Sequence, residues 1–155
     1  MELIEINTDF QINVGAPEPI ILSNDTSIII NFYAEITGDV SESEEQIITL
    51  KFIHYSKFTF GMPGNETIHG HPYSKLGMES FSFYELKDSD LIRDLKNISK
   101  IHPYFKSESW MDAKHYIITF HDNMFECIAQ NFEIQYGCES IYHKANTLIN
   151  ELITI

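Results

Sequence analysis

The chain is short of positive charge. Only 10 of its 155 residues are Lys or Arg, against 23 Asp and Glu, for a formal net charge of −13. The shortage is uneven. Residues 1–50 contain no Lys or Arg, and the first base is Lys51. The same stretch holds ten acids: Glu2, Glu5, Asp9, Glu18, Asp25, Glu35, Asp39, Glu42, Glu44 and Glu45. Beyond it thirteen acids face ten bases, so the excess belongs to the first third. Such a surface repels a phosphate backbone, which argues against direct nucleic-acid binding. It attracts a basic protein surface and speeds the encounter. Glu42, Glu44 and Glu45, in the acidic stretch "TGDVSESEE", are the expected contacts with such a partner. Plain solubility is the simpler account of the same charge.

Other absences narrow the class. No apolar run approaches the ~20 residues of a membrane-spanning helix. The opening "MELIEINTDF" has no basic segment followed by an apolar stretch, so no secretory signal is expected and the cytoplasm is the expected location. Two cysteines, Cys127 and Cys138, fit reduced thiols there. There is no His-Glu-x-x-His, no Cys-x-x-Cys, no Gly-x-Ser-x-Gly elbow and no phosphate-binding Gly-x-x-x-x-Gly-Lys loop. Without repeats, low-complexity tracts or linkers, one domain over 1–155 is expected. What is present is a core-forming composition: 43% hydrophobic residues, with 11 Phe and 8 Tyr, types that suit strands.

Periodicity predicts an α+β protein: a largely antiparallel sheet of about six strands, one mid-chain helix and a C-terminal amphipathic helix packed on the sheet. "PIILSNDTSIIINFYAEI" reads as strand, turn, strand, with Asn and Asp making the turn. "QIITLKFIHYSKFTF" reads as one long strand in which His54 continues an apolar row. "DSDLIRDLKNISKIHP" reads as a helix capped by Asp88 or Ser89, with Leu91, Leu95 and Ile98 on one stripe. "KHYIITFHDNMFECIAQNFEI" reads as a hairpin turning at Asp122-Asn123. Ile141, Ala145, Leu148, Ile149 and Leu152 form the stripe of the last helix.

Between these elements lies an unusually long connection over residues 61–78. Connections of that length are often functional. It contains "TIHGHPYSKLG", where His69 and His71 flank Gly70. In an extended segment residues i and i+2 point the same way, so both imidazoles could reach one ion. With His121 as third ligand they would make a divalent metal site, Zn or Mn, and Glu126, Asp122 or Glu79 could serve as general base. His54, His102 and His115 are further potential ligands, although His54 and His115 read more simply as hydrogen-bonded core histidines. The plain alternative for His69 and His71 is a polar loop. Cys127 has no neighbouring cation in sequence and reads as a buried inert thiol.

At "GMPGNETIHGHPYSKLGMESFSFYEL", "IHPYF" and "HYIITFHDNMFECIAQNFEI" the chain resembles a group of small uncharacterised bacterial proteins. They share a Gly-His-Pro stretch, a His-Pro after a helix and a Phe-His-Asp-x-x-Phe-Glu-Cys hairpin. The resemblance spans residues 58–135 and stops short of the acidic third. It implies no activity. It draws attention to His71, Pro72, His102, His121, Asp122 and Glu126 as one constellation.

Two functions follow as expectations. The first is a small acidic binding protein, an inhibitor, immunity-type or adaptor protein, facing a basic partner. The second is a metal-dependent hydrolase-like enzyme using His69 and His71 with the His121-Asp122-Glu126 hairpin.

Overall fold

A computed structural model describes residues 1–38 and 45–153. The elements run β1 (Glu2–Glu5), β2 (Phe10–Ile12), β3 (Ile20–Ser23), β4 (Ser27–Ile36), β5 (Gln46–Ile53), β6 (Lys57–Gly61), β7 (Phe83–Lys87), α1 (Asp90–Ser99), β8 (Lys114–Thr119), β9 (Met124–Ala129), β10 (Asn131–Cys138) and α2 (Ile141–Ile153). The class is α+β, and the strands pair antiparallel throughout.

There are two sheets where about six strands in one sheet were expected. The first has the order β1-β7-β8-β9-β6. The second has the order β10-β5-β4-β2, and β3 also pairs with β4. The difference comes from two stretches that read as single strands but bend and change sheet. "QIITLKFIHYSKFTF" breaks after Ile53, leaving β5 in the second sheet and β6 in the first. His54 sits at the break in the left-handed region, φ 53°, and is exposed, so it does not continue the apolar row. "MFECIAQNFEI" breaks at Gln130 in the same way, into β9 and β10. The two bends lie side by side. Ile53 pairs with Asn131 in the second sheet, and Lys57 pairs with Ile128 in the first. The Ser56 amide donates to the Ile128 carbonyl at 2.7 Å between them. Apolar alternation runs straight through such a bend, so periodicity does not reveal it.

The core fills the space between the inner faces. Phe32 meets Phe10 and Phe120 with ring centroids 5.7 and 5.2 Å apart. Phe52 meets Tyr116 at 5.2 Å and Phe125 at 5.6 Å. Cys127 lies in the same cluster, and burial pushes its thiol up to about 12. That is an inert thiol, as its surroundings in the sequence suggested.

Each outer face has its own cover. On the second sheet α2 packs against β3 and β4 through buried Ile141, Ala145 and Leu148. The helix start is fixed by polar contacts: Asn31 Nδ2 donates to the Ile141 carbonyl at 3.3 Å, and the Ile141 amide donates to the Tyr33 hydroxyl at 3.1 Å. On the first sheet the cover is the long connection between β6 and β7, with two short 3-10 turns at Ile68–Gly70 and Pro72–Leu76. Its Ile68 and Met78 join Tyr84, Leu86, Ile117 and Met124 in a second apolar cluster. Beside it α1 contacts β8. Ser89 caps that helix by accepting the Ile92 amide at 3.3 Å. Ile98, expected on its buried stripe, is 69% exposed. Among the described residues no helix is long and apolar enough to cross a membrane.

Candidate functional site

The long connection does fold over the hairpin. The Asn65 amide donates to the His121 carbonyl at 2.8 Å. Gly64 allows that approach, since a Cβ there would stand 2.7 Å from the His121 oxygen and 2.9 Å from Asp122 backbone atoms. Ile68 then inserts beside Ile117 and Met124, and the chain delivers His71 and Tyr73 to the face that carries Glu126. His71 caps the second 3-10 turn, its Nδ1 accepting the Tyr73 amide at 3.1 Å. Its ring lies 4.7 Å from the Tyr73 ring, and Tyr73 stands edge-on to His115 at 6.1 Å.

A polar chain runs beneath these rings. His115 on β8 is fully buried, and its Nδ1 is 2.7 Å from Ser89 Oγ. Its Nε2 is 2.9 Å from Glu126 Oε1, while Thr59 Oγ1 donates to Glu126 Oε2 at 3.3 Å. The Ile92 amide donates to Ser89 Oγ, and the two ring nitrogens of His115 are taken by that hydroxyl on one side and by the carboxylate on the other. Sheet register produces the meeting, because Ile117 pairs with Glu126 and Thr59 pairs with Glu126 from the other side. His115 sits two residues from Ile117 and shares its face.

Burial alone would raise the Glu126 carboxyl. The hydrogen bond and charge of His115, then the charge of His71 and the Thr59 hydroxyl, outweigh it and hold the carboxyl below its ordinary range. Burial lowers His71, and Glu126 offsets that only in part. Burial raises the Tyr73 phenol, helped by the charges of Glu126 and Asp90. The set at neutral pH is therefore an ionised carboxylate, a neutral imidazole whose Nδ1 is occupied, and a neutral phenol.

Serine, imidazole and carboxylate in a row have the order of a hydrolytic triad. The accessible end is the wrong one for that chemistry. Ser89 is 6% exposed and committed to capping α1, whereas the Glu126 side chain is 19% exposed. The serine cannot receive a substrate, so the group that faces outward is the carboxylate. An anion held this low is a weak proton acceptor and a good partner for a cation or an N–H donor.

The expected site residues divide. His71 and Glu126 come within electrostatic reach of each other. His69 is exposed, and its carbonyl takes the Ser74 hydroxyl at 2.9 Å. His121 turns to its neighbour, Nδ1 lying 2.8 Å from Asp122 Oδ1, with its ring beside Phe81. His102 caps a turn by accepting the Tyr104 amide on Nδ1 at 3.0 Å. Among the described residues no three His, Cys, Asp or Glu side chains gather in a way that could hold a metal ion. His115, expected to be a hydrogen-bonded core histidine, is one. Its connection of Ser89 to Glu126 has no local signal, because the three residues lie on different elements.

On the acidic side, Glu42 and Glu44 lie outside the described residues, and Glu45 is exposed and accepts the Tyr33 hydroxyl at 3.2 Å. Glu2 and Glu5 stand on β1, and Glu35 stands on β4 opposite Gln11 of β2. None of the described acids between Glu2 and Glu45 forms an ion pair, in contrast to Glu85 and Asp90 later in the chain.

Comparison of the chain with protein-family models, with curated proteins and with solved structures found no match in any of the three.

Proposed function

We propose that the protein is a small acidic cytoplasmic binding protein, of the inhibitor, immunity or adaptor kind, that recognises a basic protein surface. One observation carries this reading. Glu2, Glu5, Asp9, Glu18, Asp25, Glu35 and Glu45 all lie in a region without a base, and none of them is neutralised by an ion pair. Unpaired carboxylates keep their full field, which steers a cationic partner and fixes its orientation. The test is affinity purification from the native host, beside a variant with Glu42→Lys, Glu44→Lys and Glu45→Lys. The expected result is a basic partner held at low salt, released toward ~1 M salt where the screening length falls to about 3 Å, and missing from the variant. A partner that survives both treatments, or no partner at all, refutes the reading.

A second reading is a metal-dependent hydrolase-like activity at His69, His71, His121, Asp122 and Glu126. The proximity of His71 to Glu126 favours it. It requires His121 to exchange Asp122 for a metal. Protein purified without a histidine tag should then carry Zn or Mn, or be stabilised when either is added, since a ligand that binds the folded state raises its stability. A protein that carries neither metal and shows no thermal shift when either is added refutes this reading.

A further inference from the structure

We infer that the open edge of β2 is the docking place for an extended basic segment of a partner protein, which adds to the second sheet as a further strand. This rests on the binding reading above and names the surface and the form of the partner.

The edge is open. β2 ends the order of the second sheet, with β4 on one side and no strand on the other among the described residues. The backbone directions are fixed by two hydrogen bonds. The Thr37 amide donates to the Asp9 carbonyl at 2.8 Å, and the Asn13 amide donates to the Tyr33 carbonyl at 3.1 Å. By antiparallel alternation Asp9, Gln11 and Asn13 face β4, so the backbone groups of Phe10 and Ile12 face away from it. The Phe10 carbonyl is already taken by the Thr8 hydroxyl at 2.9 Å. The Phe10 amide, the Ile12 amide and the Ile12 carbonyl remain to pair with an incoming chain.

There is also space beside the edge. A cleft of about 480 Å³ lies between residues 5–14 and residues 80–83. A second of about 260 Å³ shares Gln11, Ile12 and Val14 with it and reaches Glu35. Glu5 lines the first and Glu35 the second, and neither cleft is lined by a Lys or Arg. Phe10, Ile12 and Phe83 give the first an apolar wall. Phe81 lines it too, held in the left-handed region at φ 57°, a conformation costly for a bulky residue. Edge strands of this kind are a liability unless blocked or used, and the usual block, a charged Lys on the edge, is absent here.

Chemistry and period together specify the occupant. In an added strand, alternate side chains fall on opposite faces. Those beside Phe10 and Ile12 meet the apolar wall. Those beside Gln11 fall on the face that carries Glu35. An alternating apolar and basic segment satisfies both faces, and main-chain bonds supply the rest of the affinity, as in other cases of strand addition.

The probe is a fluorescent octapeptide of alternating Lys and Val, compared with its Glu-Val counterpart and with a copy N-methylated at alternate amides. Binding is read by anisotropy and by hydrogen exchange at the Phe10 and Ile12 amides. The expected result is binding of the Lys-Val peptide alone, slowed exchange at both amides, and about two- to tenfold weakening by N-methylation, since the Ile12 carbonyl is the one acceptor on β2 left for a peptide amide. The paired substitutions Glu5→Lys and Glu35→Lys, both at surface positions, should weaken it about as much. If the Lys-Val peptide binds and charge reversal weakens it, but N-methylation and exchange show nothing, strand addition is overturned and the acidic-surface reading survives. If the Lys-Val peptide does not bind below about 1 mM, the docking place is overturned, and the host partner experiment decides the broader reading separately.

Discussion

Replacing Gly64 with Ala tests whether the long connection is docked on the hairpin or merely lies near it. The added methyl would meet the His121 carbonyl oxygen at 2.7 Å and Asp122 backbone atoms at 2.9 Å, and neither neighbour is a side chain that can rotate away. Relief requires the loop to lift, which weakens the Asn65 bond to His121. Overpacking of this kind costs about 1–3 kcal/mol, and a lost backbone hydrogen bond adds about 0.5–1.5 kcal/mol. Removing a glycine from the unfolded chain offsets roughly 0.4–1 kcal/mol. The net is a loss of about 0.5–4 kcal/mol, or roughly 1–16 °C in Tm for a chain of this length. Gly70→Ala is the control. It lies six residues further along the same connection, and a Cβ there meets nothing within 4 Å. It should stay within about 0.5 kcal/mol of the parent. Urea and thermal unfolding measure both, and hydrogen exchange at Asn65 and Ile68 locates the damage. Equal stability of the Gly64 variant and the parent, or equal damage from both substitutions, refutes the docked loop.

Acid should weaken the fold through the same region. Glu126 has a lowered folded pKa, so its contribution is complete above the ordinary carboxylate value and is lost as pH falls through the folded one. His71, lowered from 6.5, also binds its proton more readily when unfolded, and it begins the decline at higher pH. Glu126→Gln should cost about 1–3 kcal/mol at pH 7, where a charged hydrogen bond is lost, and the gap to the parent should narrow on acidification. Unfolding in urea across pH 3–8 measures it, and a gap that widens toward low pH refutes the account. A thiol reagent should modify one cysteine per native chain, Cys138, which is exposed, and reach Cys127 only after unfolding. Two equally fast thiols in the native protein would contradict the buried position of Cys127.

The elements with a single regular period were legible in the sequence. The buried stripe of α2 at Ile141, Ala145 and Leu148, the Ser89 cap, the turn at Asp122-Asn123 and the antiparallel α+β class all follow from local chemistry, whereas Ile149, expected on the same stripe, is 41% exposed. What escaped was each feature that depends on a change of direction. His54 and Gln130 mark bends where a strand leaves one sheet for the other, and the apolar alternation on either side gives no notice of it. The candidate site was half legible for the same reason. His71 and Glu126 were visible as polar residues in suggestive places, and they do approach each other. The pairing of Glu126 with His115 depends on the register of β8 against β9, and the pairing of His115 with Ser89 depends on where α1 lands. His69 and His121 looked equivalent to His71 as ligands, but the first 3-10 turn leaves His69 exposed, and in the hairpin between β8 and β9 the ring of His121 lies against its neighbour Asp122. The i, i+2 rule for extended chain does not apply there.

The two bends set side by side have a mechanical meaning. A sandwich whose sheets are joined only by loops can part along its midplane, each sheet keeping its own hydrogen bonds. Here β5 runs into β6 and β9 into β10, so two neighbouring strands belong to both layers at once. The midplane is stitched by main chain at that corner, like a folded sheet of card with one uncut crease. Separation of the layers must open from the far side, where β1 and β2 border the acidic cleft. A strand bound at that seam would tie the two layers on the side that no continuous strand joins.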